Sequence, residues 1–180
     1  MMQLLGVCGS LRESSTNSRL LEAAARLLPV EVDLHLTTLV GRLPLFNPDI
    51  SVDSSEVVLD WVQEMRSADG LIISTPEYAR GYPGALKTAR DWLVDTDAFV
   101  AKPFITLSAS ARSTIGRDTL ITVIETMSGV HVVEASITVN LLGTQTDVTT
   151  IINSHEHAPR ITDAIDQLVS VIRARTNDQR

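Results

Sequence analysis

The residues with the richest chemistry lie together in Gly9-Ser10-Leu11-Arg12-Glu13-Ser14-Ser15-Thr16-Asn17-Ser18. Four hydroxyls (Ser10, Ser14, Ser15 and Thr16), the Asn17 amide and the Arg12 guanidinium share one short turn. Many donors and one cation suit a phosphate monoester, because they can converge on its terminal dianion. A dinucleotide loop would instead carry Gly-x-Gly-x-x-Gly, so that backbone can approach a pyrophosphate. Only Gly9 is present here, which favours a mononucleotide phosphate. The same residues also read as a capped helix start with serines in a solvated loop. Composition of the turn alone does not separate the two.

The flanking elements add weight to the first reading. Leu4-Leu5-Gly6-Val7-Cys8 is a short unbroken apolar stretch, the pattern of a buried parallel strand. Leu20, Leu21, Ala24, Leu27 and Leu28 are spaced as one face of a helix. A strand that turns directly into a helix aims backbone N–H groups and the positive end of the helix dipole into the turn. Two further loops follow apolar strands in the same way. Leu71-Ile72-Ile73-Ser74 leads into Thr75-Pro76-Glu77-Tyr78-Ala79-Arg80-Gly81-Tyr82-Pro83-Gly84, and Phe104-Ile105-Thr106-Leu107 leads into Ser108-Ala109-Ser110-Ala111-Arg112-Ser113-Thr114-Ile115-Gly116.

Between them, Val30, Val32, Leu34 and Leu36 alternate with polar residues, as an edge strand does. Ser54 or Ser55 is placed to cap a helix with a stripe of Val57, Val58, Trp61, Val62 and Met65. Ala85, Leu86, Ala89, Trp92 and Leu93 mark another helix, and Leu120, Val123, Ile124 and Met127 a fourth, with Gly129 as its stop signal. Val130, Val132, Val133, Ile137 and Val139 suggest a last strand, and Ile161, Ile165, Leu168, Val169 and Ile172 a last helix. Strand and helix thus alternate, which implies an α/β, flavodoxin-like three-layer sandwich: a five-stranded parallel sheet of order 2-1-3-4-5 with helices on both faces. One domain over 1–174 is expected, then a polar tail over 175–180. In that fold ligands sit at the carboxyl ends of the strands, where the loops after strands one, three and four meet.

Bulk properties narrow the partners. The chain has 180 residues, 44% hydrophobic and 21% charged, ordinary for a globular protein. Its net charge of −7 and the absence of a basic run argue against nucleic acid or a membrane surface as partner. No apolar run approaches the roughly 20 residues that span a bilayer, and no secretory pattern opens the sequence. The single cysteine, Cys8, excludes an internal disulfide. A cytoplasmic location is the expectation.

Other constellations carry less. Cys8 and Arg12 enclose only three residues, too few for a cysteine phosphatase loop, and Cys8 reads as a small core residue. His155 and His157 stand two apart where a helix is about to begin, so no metal is expected. His35 and His131 are isolated in strand-like stretches and read as structural.

Three motifs now combine. Gly-Ser-Leu-Arg-x-x-Ser-x-Asn at Gly9 to Asn17, Leu-Pro-Leu-Phe-Asn-Pro-Asp at Leu43 to Asp49, and Pro-Glu-Tyr with Pro-Gly-x-Leu-Lys-x-x-x-Asp-Trp-Leu at Pro76 to Leu93 resemble the NADPH-dependent FMN reductase family. The resemblance runs from Leu4 to about Val133. It implies FMN as cofactor, NADPH (or NADH) as co-substrate and a quinone, flavin or similar small molecule as electron acceptor, by ping-pong transfer. It also implies a homodimer or homotetramer. By position, Ser10, Arg12, Ser15, Asn17 and Ser18 would hold the 5′-phosphate; Pro76, Glu77, Tyr78, Ala79 and Gly81 would line the ring, largely through backbone; Ser108 and Ser110 would take the third side. No residue is required as an acid or base, since the cofactor carries the hydride chemistry.

Two departures stand out. Ala79-Arg80 replaces the Asn-Gly of many members, and Leu86-Lys87-Thr88 their Leu-Lys-Asn. Arg80 is a candidate for the 2′-phosphate of NADPH or, equally, an exposed surface arginine. Tyr82, with Tyr78, is placed to shape the acceptor pocket or simply to pack. Two alternatives share the architecture: an FMN-binding electron carrier or redox-sensing module without its own NAD(P)H activity, and a protein that has lost flavin and acts by interaction.

Overall fold

A computed structural model of the chain describes residues 1–112, 114–141 and 147–178. Strand β1 (Met2–Cys8) pairs on one side with β2 (Val32–Leu36) and on the other with β3 (Gly70–Ser74). Strand β4 (Pro103–Ser108) continues the sheet, and all pairings are parallel. With β5 at Val130–His131, the order is β2-β1-β3-β4-β5, the flavodoxin-like arrangement expected from the alternation of elements.

The fifth position departs from expectation. It is shared by two short strands, β5 (Val130–His131) and β6 (Ile137–Thr138), both paired with β4. A 3₁₀ turn at Val133–Ala135 interrupts them, and Val133, expected in the strand, is 62% exposed. Where the ladder is broken, the Ser136 hydroxyl accepts the Thr106 N–H at 3.0 Å in place of a strand carbonyl. That hydroxyl also lies 2.8 Å from Nε2 of His131, whose ring stacks on Phe104. His131 is structural, as its isolation in the sequence implied.

Helices α1 (Thr16–Arg26), α5 (Val148–Ile152) and α6 (His157–Asp178) cover one face of the sheet, with Leu4, Leu20, Leu21, Ile72, Ile105 and Ile165 in that layer of core. Helices α2 (Glu56–Ser67), α3 (Gly84–Asp91) and α4 (Ile115–Thr126) cover the other over Leu5, Val7, Trp61, Leu71, Ile73 and Phe104. Adjacent strand residues such as Leu4 and Leu5 enter opposite layers. Both faces are therefore apolar, which is why these strands are continuous hydrophobic runs in the sequence. Each fully buried large side chain contributes roughly 1.5–3 kcal/mol by removal from water.

Several local expectations are corrected. Val30 is 97% exposed, ahead of β2, and Val57 is only half-buried. The short α5 was not visible as a separate helix, and α6 runs past Ala174 to Asp178. The stop after α4 is a Schellman motif whose left-handed residue is Ser128 (φ 67°), with Gly129 one place later, donating to the Ile124 carbonyl at 3.0 Å.

The proline-containing loop Leu43–Asp49 has a clear anchor. The Trp92 indole Nε1 donates to the Pro44 carbonyl at 2.8 Å, and Phe46 meets the Trp92 ring edge-on at 5.2 Å. The second and third sequence motifs are thus parts of one packed unit.

Candidate functional site

Strands β1 and β3 end in register, Cys8 beside Ser74, and β4 runs alongside β3. The loops that leave them share the carboxyl edge of the sheet. The first is sealed to β3 by Gly9, whose N–H donates to the Ser74 carbonyl at 2.9 Å. A Cβ at position 9 would lie 2.2 Å from Thr75 Oγ1, so only glycine allows this approach.

Within the first loop, acceptors are consumed and donors are left over. Ser10 Oγ accepts the Arg12 N–H at 3.3 Å. Ser15, the N-cap of α1, accepts the Ser18 N–H through its own hydroxyl at 3.4 Å. Asn17 Oδ1 accepts from the Ser74 hydroxyl at 3.0 Å. Each hydroxyl that accepts from backbone keeps its O–H to donate, and Asn17 keeps its NH₂. Ser10, Ser15 and Asn17 are all buried. Ser18 is half-buried, its hydroxyl 3.2 Å from Cys8 Sγ, which places Cys8 under the loop rather than on it. Arg12 is exposed. A set of free donors with a cation beside a helix N-terminus fits a phosphate.

The second loop is a tight hairpin. Tyr78 and Gly81 exchange backbone bonds, Tyr78 N–H to Gly81 O at 2.8 Å and Gly81 N–H to Tyr78 O at 3.0 Å. The two central residues, Ala79 (φ 50°) and Arg80 (φ 65°), are both left-handed, the signature of a type I′ turn. Ala79, Arg80 and Tyr78 are exposed, Tyr78 at 53%; Pro76, Glu77, Gly81 and Tyr82 are half-buried. Tyr82 packs on the α2–α4 layer, and its hydroxyl takes a long 3.4 Å bond from Arg90 Nη2. It is therefore turned partly into the core, and Tyr78 presents more of its ring to solvent.

The third loop repeats a device of the first. Ser110 Oγ accepts the Arg112 N–H at 3.1 Å, as Ser10 does for Arg12. Ser108 is buried at the end of β4 and its carbonyl accepts from Val139, and Ser110 is half-buried at the rim. Each loop thus carries one exposed arginine, Arg12, Arg80 and Arg112, with no ion pair among the described residues. In a chain of net charge −7 this is a local concentration of unneutralised cations.

One contact beside these loops has no counterpart in the sequence reading. Glu77 reaches across to α4, where its Oε2 accepts the Gly116 N–H at 2.8 Å. The residues are 39 apart in sequence, and no local pattern announces the pair. Among the described residues, no cluster of three His, Cys, Asp or Glu side chains is arranged to hold a metal. No described helix is long and apolar enough to cross a membrane. A concavity of about 700 Å³ between Leu39, Asp60, Gln63, Glu64, Arg66 and Ser67 lies along α2 and includes none of the loop residues above.

Residues 2–143 match the NADPH-dependent FMN reductase family. The chain belongs to that family. Two relatives are a 2-hydroxy-1,4-benzoquinone reductase of a Burkholderia species, 42% identical over 91 residues (51% of this chain, 49% of the relative), and an NAD(P)H-dependent FMN reductase of Pseudomonas aeruginosa, 36% identical over 113 residues (61% and 60%). The matched region is therefore half to three fifths of those relatives' lengths. Among solved structures, the fold resembles FerB of Paracoccus denitrificans, a flavoenzyme NAD(P)H:(acceptor) oxidoreductase, with a TM-score of 0.81 at 22% identity over 97% of this chain and 98% of that one.

Proposed function

We propose that this chain binds FMN and is an NAD(P)H-dependent oxidoreductase that passes reducing equivalents to a small acceptor such as a quinone or a free flavin. The observation that carries the reading is the first loop, where acceptor atoms are spent internally and donors with one cation remain. Ser10, Arg12, Ser15, Asn17 and Ser18 would hold the 5′-phosphate. The hairpin Pro76–Gly81 would take the ring through its backbone, and Ser108 and Ser110 would border the third side. Bound FMN supplies the hydride-accepting ring, so the chain's part is binding, orientation and electrostatics. Arg80 stands free to meet a phosphate of the reductant. Reductant and acceptor would use one site in turn, which gives parallel lines in double-reciprocal initial-rate plots.

The relatives support a quinone or flavin acceptor, since one is named for 2-hydroxy-1,4-benzoquinone and another for FMN. A cytoplasmic protein that assembles as a homodimer or homotetramer completes the proposal, with light scattering as the check on assembly. The deciding experiment is reconstitution with FMN followed by anaerobic NADPH. Flavin absorbance that bleaches promptly supports a reductase. Retained bands that do not bleach would replace it with a carrier or sensor, and a protein that retains no flavin would refute the whole reading.

A further inference from the structure

The hairpin after β3 has two left-handed non-glycine residues at its tip and is closed on itself by the Tyr78–Gly81 pair of backbone bonds. Something outside it must hold it in place. The first turn of α4 does so at two points. Glu77 Oε2 accepts the Gly116 N–H at 2.8 Å, and Gly116 lies so close to Gly81 that a Cβ there would sit 2.9 Å from the Gly81 carbonyl carbon. The helix needs this partner as much as the loop does. Its N-cap, Thr114, makes no side-chain capping bond, so the carboxylate of Glu77 meets an N–H that α4 leaves unpaired.

We propose that Glu77 is a positioning residue that clamps the 78–81 hairpin to the N-terminus of α4 and so fixes the surface on which the flavin ring rests. The inference builds on the proposed FMN site, but the clamp itself is a property of the protein without flavin. It assigns Glu77 a specific side-chain role where the 76–81 segment was expected to act largely through backbone. It also couples α4 to the geometry of the ring site.

Two measurements separate the clamp from the flavin. Arg80 is exposed at the hairpin tip, so trypsin cleavage after Arg80 reads loop opening, with the exposed Arg12 as an internal control. Glu77→Ala should speed cleavage after Arg80 by about tenfold, the factor for loss of one charge-assisted hydrogen bond, and leave Arg12 unchanged. Glu77→Gln, which keeps an acceptor oxygen, should recover most of the protection. Titration with FMN should show weaker binding for Glu77→Ala, again by about tenfold, with recovery in Glu77→Gln. Gly116→Ala, which forces the same contact apart, should add little to Glu77→Ala in a double-mutant cycle on cleavage rate.

Equal cleavage after Arg80 in wild type and Glu77→Ala would overturn the clamp, as would a Glu77→Gln variant indistinguishable from Glu77→Ala. Faster cleavage with unchanged FMN affinity would overturn the positioning role. If wild type itself binds no FMN, the proposed function and the positioning role fail together, and the cleavage rates alone decide the clamp.

Discussion

The Ala79-Arg80 turn makes a quantitative prediction about stability. Both residues hold positive φ, 50° and 65°, where a Cβ crowds the carbonyl and costs roughly 1–2 kcal/mol per residue. Type I′ turns favour Asn-Gly for this reason, and many members of the family carry that pair. Replacement of both residues, Ala79→Asn with Arg80→Gly, should relieve most of the strain. Glycine offsets part of the gain, about 0.5–1 kcal/mol, because it loosens the unfolded chain. Arg80 is exposed and has no ion pair among the described residues, so its removal breaks no such contact. The net gain should be about 1–2 kcal/mol. For a chain of this size each kcal/mol moves Tm by about 2–4 °C, so a rise of about 2–8 °C is expected in thermal unfolding followed by circular dichroism. Ser128→Gly serves as a comparison, because Ser128 (φ 67°) holds the left-handed place after α4, where glycine is usual. If Ser128→Gly raises Tm and the 79–80 pair leaves it unchanged, the turn is not strained in the way its dihedrals imply.

Three further outcomes follow from single groups. Arg12→Ala should weaken FMN binding by about tenfold or more and leave riboflavin, which lacks the phosphate, unaffected; equal losses for both ligands would place Arg12 away from the phosphate. The Lys102 ammonium donates to the carbonyls of Met65, Arg66 and Ala68 at the end of α2, so Lys102→Met should cost about 1–3 kcal/mol, read from the urea midpoint at constant slope. Burial holds the His131 imidazole below its ordinary 6.5, with Arg117 acting the same way and Glu125, Glu134 and Asp118 opposing. The unfolded chain therefore takes up the proton first as pH falls, and stability should be lost as pH drops below about 6.5, the loss ending beneath the folded-state pKa. Tm measured from about pH 7.5 downward should show this fall, and His131→Gln should remove that component.

Much of the sheet was legible because β1, β3 and β4 are buried on both faces and therefore appear as unbroken apolar runs. The fifth position was not, because Val130, Val132 and Val133 look like one strand until the 3₁₀ turn exposes Val133. Hydrophobic pattern reports burial, and a two-residue strand has too little of it to be told from a turn. The candidate site divides along the same line. Residue types revealed a donor-rich loop, since donors are a matter of composition. Which lone pairs are already used depends on contacts such as Ser74 with Asn17, 57 residues apart, and on Glu77 with Gly116. The left-handed hairpin was hidden as well, because Ala79-Arg80 carries neither the asparagine nor the glycine that would announce it.

The order of the strands gives the site its logic. In the sequence the three loops follow β1, β3 and β4, and in space β3 lies between the other two. The hairpin with Tyr78 at its exposed corner is thus flanked by two loops that each present a Ser-x-Arg turn, Ser10 to Arg12 and Ser110 to Arg112. A ligand that met all three would need an anionic end. The flanking loops are not equivalent, however. The N-terminus of α1 is capped by its own Ser15 hydroxyl, which still has a proton to donate, so that helix end remains suited to an anion. The first turn of α4 already receives the carboxylate of Glu77. A second phosphate there would meet like charge at close range. The asymmetry supports the proposal that the phosphate meets the first loop while the third borders the neutral parts of the ligand, and it arises from a side chain that belongs to the hairpin between them.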